Sequence, residues 1–590
     1  MHVHSILIVN KMKFKQSYIF IPALAIAFFT AQSFYHRFRK EKAPLGRAWF
    51  KPFPGHVALC IPAYIGADSA IDIPALKGWG NYSWKISTKS DSVQFYFNQG
   101  ISLYYGFHMI EAIASFTRAT HIDPSCAMAW YGRALAMGPT INYANGYTPP
   151  NDAFKAARKS QQLSAGCAPL EKDLITAIEQ RYREDTSVSI KQLRINYAAA
   201  MKKVYEKYPH NADVVTLYAD ALLLLHPWDL YTHDFKPKPW TPQIRSLLET
   251  AMKIYPDHPG ANHYYIHTME ASATPQLALK SAHVLDTLMP LVSHVTHMPS
   301  HIYIRTGHYQ QGIKNNDAAI AGYNNYLMRY APVANGSPLY ELHNMHLKVN
   351  CAQMAGNYKI ANEGSLLLQS KLKDFLSLPG ADGNYVQYLF MEPAFTAVRF
   401  GKWNYILDEK PVDTLAYASV IQHFARGLAY CGKGKSELAQ SELKKLEEKM
   451  QDRSLKLNMD NFSPAYDAAN VARTILQGVI ADAQKQYAAS VDFFQKAVAA
   501  EDHIIYNEPR DWPLPAREYL GNELIKAGRY DEAIAVFNKD LFINPNNGWS
   551  LTGLQSAYQS TNNSAALAKV QQHLKQAWKI KDVEIKKAVF

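Results

Sequence analysis

The feature that most constrains this chain is a recurrence of small and large residues on a ruler of about 34 residues. With Val93 as position 1, Tyr96 falls at position 4, Gly100 at 8, Ala112 at 20, Phe116 at 24, Ala119 at 27 and Pro124 at 32. Small residues at the second, third and fifth of these places let two antiparallel helices approach. The large residues fill the space between them, and the proline ends the second helix. The ruler fits again from Ala127, with Trp130 at 4, and from Ala212, which follows Pro209 at the preceding position 32. From Pro259 it gives Ala278 at 20 and Pro290 at 32. From Ser293 it gives Gly307 at 15, Tyr309 at 17 and Ala319 at 27, and from Leu342 it gives Gly356, Tyr358 and Ala361 at 15, 17 and 20. Gly401 with Trp403, and Gly478 with Phe494 and Ala497, mark weaker units. Gly521, Gly528, Tyr530, Ala533, Phe537 and Pro545 mark a clear late one.

These signature positions resemble the tetratricopeptide repeat superfamily. The resemblance implies an all-α solenoid of helix-turn-helix repeats, whose units stack side by side and share one continuous core. The solenoid is expected over 91–590, with inserted loops. "GPTINYANGYTPPN" (138–151) and "HPWDLYTHDFKPKPW" (226–240) interrupt the turns within repeats, and "YNEPRDWPLP" (506–515) precedes a late one. Loops longer than the minimum are often functional. Residues 34–90 contain Pro and Gly, lack helical period and are expected to form an irregular arm.

Residues 1–33 read as a signal peptide or a membrane anchor, with Met12 a candidate start. Lys13 and Lys15 precede a short apolar run from Tyr18 to Phe29, and Ala31 and Ser33 supply small residues after it. Arg37, Arg39, Lys40 and Lys42 follow, and positive charge there resists export. The protein is therefore expected to be exported (periplasmic or secreted) or anchored at its amino terminus. The net charge of +12 is spread along the chain without a nucleic-acid-binding motif. Five scattered cysteines form neither a CxxC pair nor a disulfide framework.

Ten of the 22 histidines lie between 258 and 346. On the ruler, His263, His297 and His346 occupy position 5, His267 and His301 position 9, and His294 and His343 position 2. Glu270 is at 12, and His258 directly precedes its unit. Positions three and four apart share one helix face, and in tetratricopeptide proteins this face of the first helix lines the concave groove. The three position-5 imidazoles are thus expected to converge. His263/His267 and His297/His301 are HxxxH pairs, each presenting two rings to one ion. Pro299 inside the second pair is expected to bend or restart the helix and shift His294 and His297 into a loop.

This pattern points to one or two sites for a transition metal such as zinc, copper or iron. The ligands would be drawn from His263, His267, His297, His301, His346, His343, His294 and His258, with Glu270 as ligand or proton carrier. Imidazole-rich ligation does not suit calcium or magnesium. Ligands from several helices without thiolate leave room for an open position and hence for catalysis. The alternative is a metal-free groove that grips a protein or peptide through histidines, Asn262, Asn350 and tyrosines. Trp228 and Asp229, with His233 and Asp234, are candidates for a flap. "HIDPSCAMAWYGRALAMGPTIN", "HPGANHYYIHTMEAS", "HMPSHIYIRTGHY" and "RDWPLPAREYLG" are similar to a bacterial group of exported tetratricopeptide proteins, a resemblance that implies the solenoid and brings no established activity. No catalytic triad, phosphate loop or dinucleotide fingerprint is present.

Overall fold

Each length of the ruler closes into two antiparallel helices. A computed structural model describes residues 73–590, except 186, 331, 334–338, 379, 460 and 461. The signal or anchor assigned to 1–33 and the arm as far as residue 72 lie outside the described residues. Among the described residues there are α-helices, short 3-10 turns and two isolated β-bridges.

The described chain is a tetratricopeptide-type array of helical hairpins. The first pair is Asp91–Tyr105 with Met109–Ile122, and the second is Ala127–Ala136 with Asn151–Leu163. The central pairs begin at Ala212, Pro259 and Ser293, as the ruler places them. Close approach has a visible cause. Phe116 lies between Gly100 and Gly132, where an added Cβ would stand 2.8 and 2.3 Å from its ring. Phe537 lies likewise between Gly521 and Gly553. The large residue of one helix thus fills a slot that two glycines leave open.

Residues 73–90 are irregular but packed. Ile73, Leu76, Tyr82, Trp84 and Ile86 are buried, and Trp84 meets Phe97 edge to face. No helix among the described residues is long and apolar enough to cross a membrane. Late repeats contact the central ones directly. Arg305 donates to the Ile543 carbonyl (2.7 Å), Tyr309 Oη to that of Pro545 (2.8 Å) and Asn357 to that of Ile580 (2.7 Å). The loops 226–240 and 506–515 sit beside the central helices: Arg305 packs over both Phe235 and Tyr506.

Gly521→Val should destabilise the late repeats by roughly 1–3 kcal/mol through overpacking against Phe537. The expected readout is a lower thermal midpoint by circular dichroism. An unchanged midpoint would show that this contact does not hold the hairpin.

Candidate metal centre

Two sets of three histidines meet in the central repeats: His263, His267 and His294, and beside them His297, His301 and His343. Within each set the ligand nitrogens lie within 4.8 Å of one another. The sets adjoin, with the His267 and His301 rings 6.3 Å apart and those of His294 and His297 6.0 Å apart. All are buried except His343, which keeps partial exposure.

The backbone explains the arrangement. Helix Pro259–Met269 carries His263 and His267 one turn apart. The next first helix is split into Ser293–His297 and Pro299–Arg305, the restart that Pro299 dictates. His294 and His297 nevertheless remain helical, contrary to the loop expected for them. Helix Leu339–Met354 supplies His343.

The outer nitrogens fix the tautomers. His263 Nδ1 donates to the Tyr105 carbonyl at 2.6 Å, an oxygen that can only accept. His267 Nδ1 donates to Glu270 Oε1 at 3.1 Å. His297 Nδ1 donates to Asn316 Oδ1 at 2.6 Å, and that amide is oriented by its own Nδ2 donating to the Gly312 carbonyl. His301 Nδ1 faces two carboxylates, Glu270 Oε2 at 2.9 Å and Glu508 Oε2 at 3.2 Å. With hydrogen on Nδ1, each Nε2 carries a bare lone pair. These lone pairs face one another, with His263 and His267 Nε2 3.2 Å apart and His297 and His301 Nε2 2.6 Å, and His343 Nε2 lies 3.4 Å from that of His301. Two imidazoles on one tetrahedral ion with nitrogens at about 2.0 Å stand about 3.3 Å apart. Neither ring nitrogen of His294 has a hydrogen-bond partner, although both are buried.

Burial, then the neighbouring imidazoles, hold His263, His294, His297 and His343 well below the ordinary histidine value. His267 is lowered as well, its burial outweighing the pull of Glu270. For Glu270 burial pushes upward, but the adjoining His301 and His267 reverse this and hold its carboxyl well down, at about 2. The rings of His263, His267, His294, His297 and His343 are therefore neutral, and Glu270 is an anion that reaches the outer sides of both sets.

Not every candidate joins the site. His346 turns to Glu392 Oε1 (2.9 Å) and packs on Tyr388, so the three position-5 histidines do not share one pocket. On helix Leu339–Met354, position 2 looks back to the preceding repeat and position 5 forward to Glu392. His258 caps its helix through Ala261 N and faces Asp213. Asn262 donates to the Pro256 and His258 carbonyls, and Asn350 to the His346 carbonyl and Glu392. Glu270 lies on the Nδ1 side of His267 and His301, where with His267 and Glu508 it forms a third group that could hold an ion. Of the flap candidates only Trp228 covers a histidine, edge-on to His267 at 5.3 Å. Asp229 pairs with Lys238, Asp234 with Lys236, and His233 lies against His503.

Phe107 was not singled out from the sequence. Its ring lies 4.4, 5.9 and 5.6 Å from those of His263, His267 and His294. It occupies position 15, where Gly307 and Gly356 stand in their repeats, and like them has positive φ, here 56°. Trp228 and Phe235 also have positive φ, 62° and 64°. A non-glycine residue there costs about 1–2 kcal/mol. The departure from glycine at position 15 was the available signal.

No protein-family model and no curated protein matches the chain. Among solved structures, human IFIT1 as a dimer with m7Gppp-AAAA is similar at 14% identity and TM-score 0.29, covering 84% of this chain and 92% of that one. The structure of yeast Tom70 is similar at 12% identity and TM-score 0.27, covering 82% and 93%. At such scores neither likeness bears on function.

Depressed histidine values carry a definite sign. In the fold these groups stay neutral, while unfolded they titrate near 6.5. Stability is complete above that value and is lost as pH falls below it, by up to about 1.4 kcal/mol per pH unit for each group. The metal-free protein should lose thermal stability steeply on acidification from about pH 7 to about pH 5. His294→Asn should make the profile shallower in chelator-containing buffer. A flat wild-type profile would contradict the buried neutral cluster.

Proposed function

We propose that the array holds a pair of transition-metal ions, one in each three-histidine set, and that copper is the ion it suits best. The observation that carries this reading is the facing of bare Nε2 lone pairs, 3.2 Å apart in one set and 2.6 Å in the other, with every identified Nδ1 partner behind the rings. Such lone pairs repel unless a cation lies between them. The partners behind them, a backbone carbonyl, an amide oxygen and Glu270, are the outer contacts that orient metal-bound imidazole. Nitrogen-only donors favour divalent copper over zinc and iron in intrinsic affinity, and no carboxylate or thiolate is directed inward. The charged, apolar and small-residue pattern of 12–33 supports an exported setting for such a protein.

A metal-free peptide groove needs an open face. Trp228 stands over His267 and against Phe462, and Phe235 and Tyr506 cover Arg305. Of the six histidines only His343 keeps partial exposure, so the reactants expected to reach the ions directly are small molecules.

Protein purified without an affinity tag and loaded with copper should bind two ions per chain, one for each histidine set, by elemental analysis. His294→Asn and His343→Asn should each remove one, and the double variant both. Loading at a free concentration of about 100 Kd should stabilise the fold by about 2.7 kcal/mol for each site. Copper, zinc and iron all absent at stoichiometric level, with chelator leaving the melting curve unchanged, would overturn the proposal.

A further inference from the structure

A line of aromatic rings leads from the buried histidines to the surface. His263, a ligand in the proposal above, donates Nδ1–H to the Tyr105 carbonyl at 2.6 Å. The Tyr105 ring lies 6.0 Å from that of Tyr82, and Tyr82 lies 5.8 Å from Tyr255. Tyr255 is 41% exposed, whereas Tyr105 and Tyr82 are buried. Tyr264 gives a parallel link, 5.3 Å from His263 and 6.3 Å from Tyr105. Ring contact alone is ordinary core packing. The second observation is a common proton acceptor. Asp213 Oδ1 accepts from Tyr105 Oη (2.7 Å) and Tyr82 Oη (2.5 Å), and His258 Nε2 faces the same oxygen at 3.2 Å. His258 Nδ1 accepts from Ala261 N, so its hydrogen sits on Nε2, toward Asp213. Loss of an electron from a buried phenol requires somewhere for its proton to go, and here one carboxylate serves both rings.

We propose that Tyr105, Tyr82 and Tyr255 form a path that carries oxidising equivalents from the metal pair to the surface, with Asp213 as the shared proton acceptor. This rests on the metal reading. Hydrogen peroxide at the centre becomes two waters by taking two electrons and two protons. Each electron leaves Tyr105, whose O–H bond breaks with the proton passing to Asp213. Tyr82 then returns an electron to Tyr105. Asp213 gives its proton back to Tyr105 and receives that of Tyr82, so its own proton count does not change at this step. When Tyr255 in turn reduces Tyr82, Asp213 returns its proton and Tyr255 releases one to solvent, from which the waters draw theirs. A one-electron donor such as ascorbate restores Tyr255. His258 holds the carboxylate in place.

The full chain is loaded with copper, its metal content is measured, and it is treated with hydrogen peroxide and freeze-quenched for electron paramagnetic resonance. A tyrosyl radical is expected, lost in Tyr105→Phe and diminished in Asp213→Asn, with copper content retained in both. Tyr255→Phe, at an exposed position that does not endanger folding, should retain the radical but slow its quenching by ascorbate. Absence of bound copper would overturn both proposals. Stoichiometric copper that consumes peroxide without a tyrosyl signal, or with a signal and ascorbate quenching unchanged in Tyr105→Phe and Tyr255→Phe, would overturn the path and leave the metal site standing.

Discussion

Repulsion between bare imidazole nitrogens is the constraint on which the central repeats depend. The rings of His263, His267, His297 and His301 are pinned from behind by Tyr105, Glu270, Asn316 and Glu508, which belong to different hairpins and to an inserted loop. Leaving a buried polar atom unsatisfied costs about 1–3 kcal/mol, and this pocket gathers several of them in one place. Such a concentration is unstable as a mere core and useful as a ligand set. Packing around it is organised accordingly: Glu270 spans both sets, and Arg305 donates to the Glu270 and Ser272 carbonyls and to that of Ile543 from a late repeat. The repeats that carry the histidines and those that close over them are held by the same guanidinium.

Backbone strain is distributed to the same end. Phe107, Trp228 and Phe235 adopt the left-handed conformation, Phe107 at the position where Gly307 and Gly356 stand in their repeats, and all three border the histidines or the arginine behind them. Gly307 shows the ordinary solution, since a Cβ there would meet the Pro545 carbonyl at 2.2 Å. At 107 the fold accepts the unfavourable φ and gains an aromatic wall against three imidazoles. Strain of this kind persists only where the surroundings over-determine it.

The hairpin array was legible because its signal is periodic and local. Glycine opposite phenylalanine, as at Gly100 and Phe116, reads the same in sequence and in structure. The two HxxxH pairs were legible for the same reason, being one helical turn. Which third histidine completes each set was not. His346 and His343 both lie on the first-helix face, yet His343 meets His301 of the preceding repeat while His346 meets Glu392 on the other side. The roles of Glu270 and Glu508 were hidden further, because the second comes from a loop more than two hundred residues away in sequence, brought near by contacts such as Tyr506 to Glu270. Helix periodicity predicts faces, and long-range closure of the array decides what those faces meet.

A proton is the simplest alternative occupant for each lone-pair couple, and it fits the site less well than a metal. One proton bridges two nitrogens, so two protons would satisfy His263 with His267 and His297 with His301, leaving both nitrogens of His294 without a partner. Burial and mutual repulsion also hold His263, His294, His297 and His343 well below the ordinary value, so protonation of these rings is disfavoured at neutral pH. A metal ion engages three nitrogens at once, uses the third ring of each set, and leaves the outer N–H groups of His263, His267 and His297 bonded as they are. Glu270 and Glu508, placed behind the rings, offset the charge that two ions bring without competing for them. Three histidines per set, outward N–H groups bonded on His263, His267 and His297, and carboxylates beside His301 are together what an ion requires and more than a proton can use.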